Sequence, residues 1–227
     1  MQKEFYPILR KAPLFAGFQE EGLRRLLDAF LPAVKPFKKG DILVLSGYPV
    51  RDIAVLLSGS ARAFKDDGEG RRSVHADLLP GGVFGDVLAG SHWVSPVTVE
   101  GLQDGEILLL SAKKILEGAP GAPEESRLLL RNLVAGISDK YFMLDRRLAL
   151  LEEKNLRKRI LLFLQQEKAR QKDSNTLYLS FDRAALADYL NCDRSALCRE
   201  LGRMKREGLI DYYRNSFRLL DESSGDR

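Results

Sequence analysis

The chain has 227 residues, a formal net charge of +4, and 44% hydrophobic against 30% charged residues, a balance that excludes disordered and membrane classes. The longest apolar runs, such as Ile160 to Leu164, cannot span a bilayer, and the N-terminal MQKEFYPILRKAPLF lacks the apolar core of a signal peptide, so a cytoplasmic protein with no membrane partner is expected. From Lys154 onward 16 Lys+Arg stand against 11 Asp+Glu, a net of +5, while the remainder has 20 against 21, a net of −1; a polyanion is expected to meet the last third.

Residues 19 to 31 place Leu23, Leu26, Leu27, Phe30 and Leu31 at helical spacing and predict a short amphipathic helix. From Val34 to Leu110 the pattern changes. Short apolar stretches (Ile42–Leu45, Ile53–Leu57, Val74–Leu79, Val97–Val99, Ile107–Leu110) alternate with turn signals at Lys39-Gly40-Asp41, Ser58-Gly59-Ser60, Asp66-Asp67-Gly68, Pro80-Gly81-Gly82 and Asp104-Gly105. That regularity predicts an antiparallel sandwich or barrel.

The stretch Gly118 to Pro123 stops the strands, and Pro123 with Glu124 and Glu125 is a favourable helix start. Leu130, Val134, Ile137, Tyr141, Leu144, Leu148 and Leu151 then step alternately by four and three. This is an a/d seam, and it predicts a long helix that pairs with another helix. The alternative is a helix packed on its own sheet. The charged flanks (Arg131, Asp139, Lys140, Arg146, Arg147, Glu152, Glu153) favour pairing, and two copies of one seam are self-complementary in a homodimer.

Asn155 can cap a further helix from Leu156 to about Ala169, and the domain boundary is placed at Lys154-Asn155. Asp182 can cap a helix over Arg183 to Leu190, and a second helix is predicted from Arg194 to about Glu207. A helix-turn-helix needs a small residue in its first helix, a turn residue tolerant of positive φ four positions on, and an aliphatic residue six further. Ala187, Asn191 and Leu197 fill those slots. The outward face of the second helix carries Arg194, Ser195, Cys198, Arg199 and Arg203, and arginine there can bind guanine O6 and N7 bidentately. Leu209 to Leu220, turning at Arg214-Asn215-Ser216, reads as a β-hairpin wing.

The segment Phe181 to Leu201 with Lys205 to Ile210 resembles the helix-turn-helix of the cyclic-AMP receptor protein / FNR (Crp/Fnr) superfamily. Gly40-Asp41, Ser58-Gly59-Ser60 and Pro80 to Asp86 resemble the glycine punctuation of its cyclic-nucleotide-binding β-roll. The resemblance covers nearly the whole chain. It implies an α+β protein: a β-roll (double-stranded β-helix or jelly roll), a long dimerisation helix and a C-terminal winged helix-turn-helix. The corresponding divisions are 1–122 for the effector domain, 123–154 for the dimerisation helix and 155–227 for the DNA-binding domain. It further implies a transcription regulator, activator or repressor, that binds a palindromic operator in double-stranded DNA as a homodimer, with RNA polymerase as a partner. Arg194, Ser195 and Arg199 fall on base-reading positions, and Arg183, with Arg203 and Arg214, is expected on phosphate. Most family members have Glu where Ser195 stands and an aliphatic residue where Glu200 stands, so this chain departs from the pattern twice.

Cyclic-AMP binders of the family carry Gly-Glu-Leu and Arg-Ser/Thr-Ala elements. Here they read Gly85-Asp86-Val87 and Ser95-Pro96-Val97, and no arginine occurs from Val74 to Gly101. A buried phosphate without a cation carries a large desolvation cost, so the effector is not expected to be cyclic AMP. The expected pocket comprises Gly85, Asp86, Val87, Trp93, Ser95, Pro96 and Val97, with Leu144 and Asp145 from the long helix, and an unidentified apolar or aromatic small molecule suits it. The alternative is a constitutive or redox-modulated regulator with a vestigial pocket. No cofactor or metal is implied: no cysteine precedes Cys192, and His75 and His92 are expected on the surface or in turns. Cys192 and Cys198 are expected as buried small apolar groups. A regulatory module of an enzyme or channel would leave the wing unexplained, and no catalytic motif is present.

Overall fold

The computed structural model describes residues 5–66, 72–87, 94–171 and 174–220. The chain divides into two compact units, Met1–Asp139 and Lys140–Arg227, and the division falls within a helix.

The first unit begins with α1 (Tyr6–Leu9), a 3-10 turn (Pro13–Phe15) and α2 (Glu20–Phe30). The strands β1 (Ala33–Phe37), β2 (Ile42–Val44), β3 (Asp52–Asp66), β4 (Arg72–Leu78), β5 (Val83–Phe84) and β6 (Thr98–Ser111) follow, then α3 (Ala112–Glu117) and α4 (Pro123–Glu152). The antiparallel order is β1-β6-β3-β4, with β2 on β6 and β5 on β3.

Two predicted turns lie inside long strands. Ser58-Gly59-Ser60 is part of β3 and Asp104-Gly105 is part of β6, so Val97–Val99 and Ile107–Leu110 mark two ends of one strand region rather than two strands. The glycines serve a close crossing. A Cβ on Gly105 would stand 2.1 Å from the Ser58 carbonyl oxygen, and one on Gly59, at φ +77°, would stand 2.5 Å from that of Asp104. The register shifts at this crossing, as at a β-bulge. The shift also changes which face a residue occupies. Before Gly59, Ile53, Val55 and Leu57 pack toward the helices while Ala54 and Leu56 point into the roll; after it, the odd-numbered Ala61 and Ala63 point inward.

One core joins the helices to the outer face of the sheet through Leu9, Phe15, Leu23, Leu27, Leu108 and Leu110; the other fills the roll through Phe37, Leu56, Phe84 and Ile107. The first half of α4 joins the former through buried Leu129 and Leu133. Arg25 of α2 donates to Glu125 Oε1 at 2.5 and 2.8 Å, and Asn132 donates to the carbonyls of Leu14 and Ala16. The predicted seam therefore divides. Leu130 and Ile137 lean on the unit's own core, whereas Val134 is exposed.

In the second unit α4 continues with Tyr141, Leu144, Leu148 and Leu151 exposed and Leu150 buried. Arg147, one of the charged residues flanking the seam, lays its guanidinium 4.1 Å from the Tyr189 ring centroid. α5 (Leu156–Arg170), β7 (Leu177–Tyr178), α6 (Arg183–Tyr189), α7 (Arg194–Arg206), β8 (Ile210–Tyr213) and β9 (Ser216–Leu219) follow, with strand order β7-β9-β8. Asn155 caps α5 through Lys158 N–H and Asp182 caps α6 through Ala185 N–H, as their side chains predict. The sequence reading missed α1, α3, β1, β5 and β7, all too short to show a period.

Candidate nucleic-acid interface

α6 and α7 meet through Leu186, Ala187, Leu190, Leu197 and Leu201, each at most 2% exposed. Burying a leucine completely contributes about 1.5–3 kcal/mol, so this small cluster is enough to set the angle of α7. Asn191 adopts φ 47°, and its neighbour Cys192 N–H donates to Ala187 O at 3.0 Å, closing the turn. Positive φ is uncommon for a residue with a Cβ, and asparagine is among the few that accept it.

The outward face of α7 presents Arg194, Ser195, Cys198, Arg199 and Arg203, all exposed. Asp193 caps the helix, its Oδ1 accepting from Ser195 N–H at 2.7 Å and Ala196 N–H at 3.1 Å. These partners and the Ser195 hydroxyl, which ranks first among them, hold the Asp193 carboxyl below its ordinary range. Cys198 is exposed, contrary to expectation, because it lies one step round the helix from Leu197, at the edge of the packed stripe. Cys192 is half-buried, and burial raises its thiol.

The expected phosphate residues occupy different settings. Arg214 sits at the tip of the β8–β9 hairpin with φ 51°. Arg203 is exposed, its Nη1 3.5 Å from Glu200. Arg183 is folded under the hairpin: its Nη2 donates to Arg214 O at 2.6 Å, and its guanidinium lies 5.0 Å from the Phe217 ring centroid and 5.3 Å from that of Tyr212.

Glu200 has a physical explanation. Arg157 of α5 donates from Nε to Glu200 Oε1 at 2.6 Å and from Nη1 and Nη2 to Glu207 at 2.5 and 3.0 Å. Glu200 is only 14% exposed at the side chain, so an ion pair stands where an apolar contact was expected. Arg159 donates to Glu153 O, Leu190 O and Asn191 O, joining the end of α4 to the turn before α7. Neither arginine was singled out by the sequence reading. The signal was Glu200 itself, since a carboxylate at a half-buried helix position needs a cation.

A cyclic nucleotide-binding domain model matches residues 34–118, and a Crp-like helix-turn-helix domain model matches residues 158–224. The transcriptional activator protein FnrA of Stutzerimonas stutzeri is 26% identical over 200 residues, covering 86% of this chain and 80% of that protein. The chain belongs to the Crp/Fnr family. This Crp/Fnr protein is a DNA-binding transcription regulator; the family is one of regulators, not enzymes. Its relatives extend beyond regulators: the potassium channel AKT2 of Oryza sativa subsp. japonica is 28% identical over 130 residues, where the chain spans 57% of itself but only 15% of the channel. The catabolite activator protein of Thermus thermophilus shares the fold at a TM-score of 0.56 and 20% identity, over 93% of this chain and 95% of that one. No described helix of the Crp/Fnr protein is long and apolar enough to cross a membrane.

The expected effector residues are scattered in character. Gly85 turns at φ +80°, Asp86 and Ser95 are buried at 6% and 2% exposure, and Val87 is exposed. Ser95 is the residue expected, from the family resemblance, at the arginine position of cyclic-AMP binders. Its hydroxyl donates to Val97 O at 2.7 Å, its N–H donates to Tyr48 O, and its carbonyl accepts from Gly47 N–H. Pro96 is exposed and Val97 half-buried; Trp93 and His92 lie outside the described residues, and His75 is exposed on β4. Leu144 and Asp145 are exposed on the part of α4 that belongs to the second unit. A separate cleft of about 560 Å3 opens in the roll. Phe37, Leu43, Ala54, Phe84, Ile107 and Leu109 line its floor, with Lys35, Asp41, Arg51 and Asp52 among its polar lining. Among the described residues, none of those expected in the pocket lines it.

Proposed function

We propose that the chain acts in the cytoplasm as a homodimer on a palindromic operator, with RNA polymerase as a partner, under the control of a small-molecule effector other than cyclic AMP. The observation that carries the DNA reading is the exposed face of α7, where Arg194, Arg199 and Arg203 project beside the hairpin that bears Arg214. The exposed apolar residues Val134, Tyr141, Leu144, Leu148 and Leu151 of α4 support the dimer. Selection from randomised duplexes tests this directly. Enriched sites should be two-fold symmetric, with half-sites about one helical turn apart, roughly 34–36 Å. Enrichment of asymmetric sites, or of none, would sink the reading.

The Ser95-Pro96-Val97 element supports an effector other than cyclic AMP, since it contains no cation to meet a phosphate and turns the serine hydroxyl back on the carbonyl of Val97 in its own loop. Calorimetry with millimolar cyclic AMP should show no binding. The alternative of a constitutive regulator draws on the burial of Asp86 and Ser95. Mass spectrometry of small molecules co-purifying with the protein separates the two: a stoichiometric apolar compound favours the effector, and its absence the vestigial pocket.

A further inference from the structure

We propose that Ser195 sets operator specificity by positioning Arg199, not by reading a base itself. The inference rests on the DNA reading above. Three side chains at the start of α7 form a relay. The Ser195 hydroxyl donates to Asp193 Oδ1 at 2.5 Å, and Ser195 Oγ accepts from Arg199 Nη1 at 3.0 Å. Asp193 is itself fixed as the helix cap by two backbone N–H groups, so the relay is anchored to the backbone at one end.

The hydrogen inventory decides what each member can do. A serine hydroxyl has one hydrogen, and here Asp193 takes it. Ser195 therefore has no donor left for the acceptor edge of a guanine. Its remaining lone pair is an acceptor of low charge, weaker than the carboxylate that most family members place there. Arg199 is in the opposite position. A guanidinium has five N–H donors, and the relay uses one of them. The rest still allow a two-pronged contact with guanine O6 and N7. Residues four apart lie on the same helix face, so the bond from Ser195 draws Arg199 back along the exposed side of α7. An exposed arginine otherwise loses considerable rotamer freedom on docking, and a side chain already held in place loses less.

Protein and the variants Ser195→Ala, Ser195→Thr, Arg199→Ala and Ser195→Ala/Arg199→Ala are each bound to a library of duplexes randomised across a palindrome, and preference is read at every base pair. Arg199→Ala should erase preference at one base pair per half-site. Ser195→Ala should weaken preference at that same base pair by roughly 3- to 10-fold, the range expected for one hydrogen bond, and leave the others unchanged. Ser195→Thr should keep it, since threonine retains the hydroxyl. In the double variant Ser195→Ala should add nothing to Arg199→Ala. A loss at a different base pair would make Ser195 a direct reader and overturn the proposal. So would an equal loss at every sequence, which marks a purely structural hydroxyl, or no change at all. If the unaltered protein enriches no sequence, the DNA reading itself falls, an outcome distinct from these.

Discussion

Arg199 and Arg183 carry the same charge in different surroundings, and the surroundings set what each substitution should do. Arg199 is exposed and hydrogen-bonded to Ser195, so Arg199→Ala should cost about 1–3 kcal/mol of operator binding and relax preference at one base pair per half-site. Arg183 is committed to the Arg214 carbonyl and to the faces of Tyr212 and Phe217. Arg183→Ala should loosen the hairpin that carries Arg214 and weaken binding to all sequences alike. Comparing the two variants on matched and scrambled operators checks both. Asp193 gives a pH test. A carboxyl whose folded value is depressed contributes stability that is complete above its unfolded value, ordinarily 3.8, and lost as pH falls through the folded value. Asp193→Ala should therefore lower the urea midpoint at pH 7, and the gap should close in strong acid. A gap that widened on acidification would contradict the cap. These residue types and their spacing were visible in the sequence, but not which arginine turns inward.

Among the elements of the second unit, α5 was expected simply to follow the domain boundary, and it proves to be tied to α7. Arg157 reaches Glu200 and Glu207 there, and Arg159 reaches the carbonyls at both ends of its neighbourhood. Removing Arg157 leaves the half-buried Glu200 carboxylate without its closest cation, whereas removing both members leaves no charge to satisfy. Arg157→Leu should lower the urea midpoint clearly, and Arg157→Leu/Glu200→Leu should recover most of it. If the double variant were no better than the single one, the pair would not be coupled. The elements legible beforehand were the long periodic helices and their caps: α5, α6 and α7 begin where predicted and end within a residue of the prediction. β3 and β6 were not legible as long strands, because a glycine that allows two strands to cross closely is the same letter as a glycine that ends one.

For the whole molecule, the question is what covers the apolar side of α4. Leu129, Leu133 and Leu150 are buried within their own units, one position away from the predicted seam, while Tyr141, Leu144 and Leu148 are 62%, 70% and 55% exposed. Such a row on one helix is unusual for a monomer and suits a self-complementary interface. Tyr141→Glu with Leu144→Glu should give monomers in sedimentation and abolish operator binding, since a single unit then meets only one half-site. Dimers that persisted would place the interface elsewhere. The positive charge lies in the last third of the chain, so operator affinity should also fall steeply with salt.

The sequence alone determined the order of parts and the helix-turn-helix with its three key positions, because each depends on residue type at short, fixed spacing. Tertiary structure decided the rest. It placed Gly59 against Gly105, Arg157 against Glu200 and Arg183 under the wing, pairs separated by 46, 43 and, from Arg214, 31 positions. It also set the cleft of the roll apart from the described residues expected to line a pocket. Period and capping act within a turn or two of helix, whereas which distant charges meet is settled by how the strands bend and how the helices dock.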